Sequence, residues 1–165
     1  MPTEERVLSM TLPVSQPRIC GSWVEVLPDL SSTAKERHSA LESAIRAFGM
    51  SVTHASSGAL VVAPESSHAY YLAIRALRAS FDLSAGRFRA DLAAAIMCLG
   101  MAELMFPERP SGLTAHIKGV GALFQAQGPE MFRSGIFHRL FVGFLPLLVC
   151  EVGRVFYEVY FADMG

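Results

Sequence analysis

Cysteine is scarce and scattered in this chain: Cys20, Cys98 and Cys150 are the only three, and no two lie near each other. Thiolate zinc ligands come in closely spaced pairs and disulfide frameworks use even numbers, so neither a cysteine zinc site nor a disulfide scaffold is expected. A reducing compartment follows. Charge is also thin. Charged residues make up 18% of the chain against a usual share of about 25%, and the net charge of -1 gives no electrostatic reason to bind nucleic acid or a membrane surface. The opening residues MPTEERVLSM carry acids and a proline where a secretion signal would have a basic end and an apolar run. Long alternating stretches of the kind strands need are lacking. The one strongly apolar run, Leu140 to Cys150, contains Gly143 and Pro146 and is closed by Glu151 and Arg154. It is too short for about 30 Å of hydrocarbon and reads as a buried helix.

What remains is apolar and helical. Apolar residues make up 52% of 165 residues, enough for one domain with a real core and too few residues for two. The reading is all-α: a single domain of about five helices in an irregular bundle or array, with an extended lead-in over residues 1–30 and the helical domain over 31–165. Pro2, Pro13, Pro17 and Pro28 keep the lead-in extended. It carries the only tryptophan, Trp23, expected to anchor it to the first helices. Ser31, Ser32 and Thr33, with Glu36 in capping-box position, predict a first helix from about Ala34 to Met50. Pro64 and Glu65 open a second, striped by Tyr70, Ile74, Leu77 and Phe81. A third, from about Phe88 to Met105, is apolar nearly all round and should be central. Phe106 to Gly112, with two prolines and a glycine, reads as a loop.

The densest signal is Leu113 to Phe141. Leu113, Ile117, Val120 and Phe124 form one apolar stripe, and Ala115, Gly119, Ala122 and Ala126 form a second of small residues, expected where another helix comes close. Gly128-Pro129 predicts the stop, with glycine in the left-handed capping conformation. A last helical stretch from about Ile136 to Phe161 is expected to bend near Gly143 to Pro146.

Candidate chemistry is sparse. His116, His138 and Glu103 are the weak catalytic candidates: either imidazole is a possible base, and a carboxylate inside an apolar helix is unusual. Neither histidine has a local acid or cysteine at ligand spacing, so no metal site is read and each is expected either to sit on a helix surface or to make an interhelical hydrogen bond. Glu103 is expected to pair with Arg75, Arg78 or the Lys118 region. Gly119-Val120-Gly121 lies inside a helix rather than before one, which excludes a phosphate loop. Phe137, Phe141, Phe144, Phe156, Tyr157 and Tyr160 gather late in the chain. They are either core or the surface for a ligand or partner.

Four phrases carry a family resemblance: Cys20 to Pro28 (CGSWVEVLP), Tyr70 to Arg78 (YYLAIRALR), Met97 to Leu104 (MCLGMAEL), and His116 to Phe124 (HIKGVGALF). The last is followed by Gly128-Pro129-Glu130 and by His138 to Phe144. In this order they resemble the regulatory region of fungal-specific transcription factors of the binuclear zinc-cluster class. The family's six-cysteine DNA-reading cluster has no counterpart here. Its members typically carry arginine where this chain has Leu145, and they continue for many more helices. The resemblance implies a non-enzymatic regulatory or interaction module, nuclear or cytoplasmic, with a protein partner or a second copy and no direct nucleic-acid or membrane contact. No cofactor is implied. Two alternatives stay open. One is a binder of an apolar small molecule held between the Phe88 to Met105 helix and the aromatic C-terminal helices. The other is a helical, cofactor-free isomerase or cyclase of secondary metabolism.

Overall fold

The computed structural model describes residues 23–33, 39–58, 63–83, 89–105 and 110–161. Six α-helices and two 3-10 turns make up nearly all of this, with no strand among the described residues. They are α1 (Leu27–Thr33), α2 (Ala40–Ser56), α3 (Pro64–Leu83), α4 (Ala90–Met105), α5 (Pro110–Gln125) and α6 (Gly135–Phe161), with turns at Val24–Val26 and Pro129–Phe132. The all-α expectation holds, with one short helix more than anticipated.

The architecture is set by α4. Every residue from Leu92 to Gly100 is buried, and α4 packs against α1, α2, α3, α5 and α6. Its composition explains this. Ala93, Ala94, Ala95, Gly100 and Ala102 let neighbours approach on several sides, while Leu92, Ile96, Met97 and Leu99 fill the spaces between.

The first long helix begins later than its serines suggest. Ser39 is the N-cap of α2, its side-chain oxygen accepting from the Glu42 amide at 3.1 Å, whereas Ala34 to Glu36 lie outside the described residues. The helix also runs past Met50, through the polar stretch that starts at Ser51. There the hydroxyls of Ser51, Thr53 and Ser56 donate to the Phe48, Gly49 and Val52 carbonyls of the preceding turn, so side chains that compete with the ladder are absorbed by it. The chain turns out at Gly58, where φ is 69°.

The lead-in does not stay extended to residue 30. A 3-10 turn and α1 start inside it, and Trp23 is 2% exposed. Its ring stacks on Phe48 at 6.5 Å and lies against Gly143. The expected anchor is therefore present, and it grips both α2 and α6.

On α3 the buried face is Ser66, Ala69, Ala73 and Leu77, while Phe81 is exposed. Of the expected stripe, Leu77 is buried and Tyr70 and Ile74 pack half-buried against the core, so only Phe81 falls outside it, and small residues complete the buried face. Likewise α5 begins at Pro110 rather than after Gly112, because proline suits a first helical position whose amide has no partner. Ile117, Val120 and Phe124 are buried as expected. The small stripe is not: Ala115, Ala122 and Ala126 are exposed, and a side-chain carbon at Gly119 would come no nearer than 4.0 Å to Ile96. Gly128 is extended, with φ -70° and ψ 152°, and caps the Pro129–Phe132 turn. The left-handed conformation falls at Gly135, with φ 74°, where α6 starts. That helix runs 27 residues with Pro146 inside it, which removes the amide that would bond the Val142 carbonyl.

Candidate functional site

Three polar side chains from three helices meet inside this framework. Tyr70 on α3 donates its hydroxyl to Glu103 Oε1 on α4 at 2.5 Å, and the Tyr70 hydroxyl oxygen lies 2.8 Å from His116 Nε2 on α5. The phenol has one proton. Once that proton goes to the carboxylate, the oxygen is left to accept, so Nε2 carries hydrogen and the chain runs from His116 through Tyr70 to Glu103.

Two glycines make the meeting possible. At Gly100, one turn before Glu103, an added side-chain carbon would stand 3.4 Å from His116 Cβ. This is where α5 crosses closely enough for its imidazole to reach Tyr70. At Gly112 an added carbon would overlap the Glu103 carboxylate itself. Glu103 is 8% exposed, and its charge is placed against the first turn of α5, where helix amides have no helical partner and the dipole is positive. That placement offsets the cost of burying a carboxylate without an ion pair. The expected pairing with Arg75, Arg78 or Lys118 is not what forms, since all three are exposed and the partner is a phenol.

Burial pushes the His116 imidazole down to about 4, so it is neutral near pH 7 with its Nδ1 lone pair available. A base this weak is badly matched to proton abstraction at neutral pH. The three groups are better suited to locking α3, α4 and α5 together than to moving a substrate proton. Cys98 is no nucleophile either, because burial raises its thiol to about 12.

The other candidates disperse. His138 is exposed, and its Nδ1 sits 2.8 Å from the Phe132 carbonyl, joining α6 to the turn before it and standing apart from His116. Phe144 is 1% exposed and belongs to the core rather than to a partner surface. Phe124 meets Phe132, Phe141 and Phe144 edge-on at 5.2, 5.6 and 5.5 Å, so these rings fill the space between α5 and α6 with one another. Phe137 and Phe141 are half-buried. Phe156, Tyr157 and Tyr160 ride on the last turns of α6, and their side chains lie outside the described residues. Among the described residues no cluster of histidine, cysteine and carboxylate could hold a metal ion, and no helix is long and apolar enough to cross a membrane.

Sequence reasoning treated Tyr70 as one more apolar stripe residue and so missed the link between His116 and Glu103. The available signal was the pair of glycines, Gly100 and Gly112, each in the same stretch as one of the polar residues. The chain matches no family model, no curated protein and no solved structure.

Proposed function

We propose that this chain is a non-enzymatic regulatory or interaction module, related to the effector region of fungal zinc-cluster transcription factors and not itself a reader of DNA. The supporting observation is the end of α6. Core packing on this helix reaches Leu147 and Leu148, yet Leu145 is 36% and Val149 67% exposed. From Val149 the helix continues to Phe161 through the sequence VCEVGRVFYEVYF. Leu145 and Val149, exposed one turn apart on a helix this poor in charge, support a surface covered by another protein or a second copy.

Size-exclusion chromatography with light scattering, run over a range of concentrations, tests the self-association form directly. The expected result is a mass above the 17.9 kDa of one chain that falls towards it in the Leu145→Glu, Val149→Glu double variant. A monomer at every concentration, with the same behaviour and heat stability in the variant, overturns the reading.

A further inference from the structure

Away from the polar array, α2 and the first turns of α3 border an open pocket of about 580 Å³, within the range that holds small organic ligands. Ala69, which is buried, forms its floor, and Met50, Pro64 and the exposed Leu72 add to the apolar lining. Two opposite charges face the same space: Arg46 from α2 and Glu65 from the start of α3. The described residues show two ion pairs, Arg89 with Asp91 and Arg133 with Glu130, and Arg46 and Glu65 belong to neither. They do not pair with each other, although they line one cavity and would gain from doing so.

We propose that this cavity is a binding site for a small zwitterion with an apolar body, the simplest being a free amino acid with a large apolar side chain. Arg46 takes the carboxylate through its planar fork of donors. Glu65 accepts from the ammonium group. Met50, Ala69 and Leu72 cover the apolar part, and Ser43 adds a hydroxyl at the rim. The same charge pair discriminates against other ligands. A dianion such as phosphate would be repelled by Glu65, and an organic cation would be repelled by Arg46. This site is independent of the α6 surface and stands or falls separately from it.

Titration calorimetry on the full chain with L-phenylalanine, N-acetyl-L-phenylalanine and L-phenylalaninamide tests each pole. Phenylalanine should bind, and the derivatives that lack the ammonium or the carboxylate charge should bind weaker by about tenfold or more. Arg46→Met and Glu65→Gln should each bring phenylalanine down to the level of the matching derivative. Both residues are exposed, so these variants should fold. Ala69→Trp should abolish binding by filling the floor, with circular dichroism checking that it folds. No heat with millimolar phenylalanine or leucine overturns the proposal. So does equal binding of the N-acetyl derivative, or unchanged binding in both charge variants.

Discussion

The Glu103 carboxylate occupies the space that a side chain at Gly112 would need. A single methyl group there must displace the acid from Tyr70. Because the displaced atoms are the end of a flexible side chain, the structure can yield, and the cost is close to that of the bond lost.

For Gly112→Ala that cost is about 1.5–3 kcal/mol for a hydrogen bond to a charged group, less up to about 1 kcal/mol gained in helix propensity. Urea denaturation should therefore show a net loss of about 1–2 kcal/mol. The double-variant cycle with Glu103→Ala isolates the cause, since adding Glu103→Ala should cost less in the Gly112→Ala background than in the parent.

Gly143→Ala should be the more damaging of the two. Its new carbon would stand 2.7 Å from Trp23 Cβ and Cγ, which are fixed close to the backbone and cannot swing away. Overpacking of this kind costs about 1–3 kcal/mol or more. Trp23 is the only tryptophan, so its emission should shift to longer wavelength in this variant and stay unchanged in Gly112→Ala.

The array also sets a pH dependence. His116 is lowered from 6.5 to about 4, so between those values the unfolded chain binds the proton that the folded chain refuses. Stability from this group is complete above about pH 6.5 and is lost as pH falls towards 4. The loss is on the order of 3 kcal/mol across the window. Denaturation midpoints at a series of pH values should show this slope in the parent and a flatter one in His116→Gln. Equal slopes in the two proteins would remove His116 as the cause.

How legible the fold was depended on whether a feature was local. Helix α4 could be read because its apolar residues leave no solvent face, a property of consecutive positions. The end of α2 could not, because Ser51, Thr53 and Ser56 either break a helix or bond back into it according to rotamers that composition does not specify. The polar array was hidden for a different reason. Tyr70 lies 33 residues from Glu103 and 46 from His116, and only the packing of three helices brings them together. Glycines misled in the same way, since their number in α5 suggested close packing at Gly119, whereas contact is made at Gly112. Which glycine matters is decided by the neighbour's side chain, and that neighbour is on another helix.

Trp23 has a further consequence for the order of assembly. It precedes α1 and yet is wedged between Phe48 of α2 and Gly143 of α6, so its seat is incomplete until the last helix has docked. A contact that spans so much of the chain closes a long loop, and such closures follow local helix formation rather than lead it. On rapid dilution from urea, the helical signal in circular dichroism should recover before the tryptophan emission does. Simultaneous recovery would mean that the two ends of the chain meet at the outset, with Trp23 part of the folding nucleus.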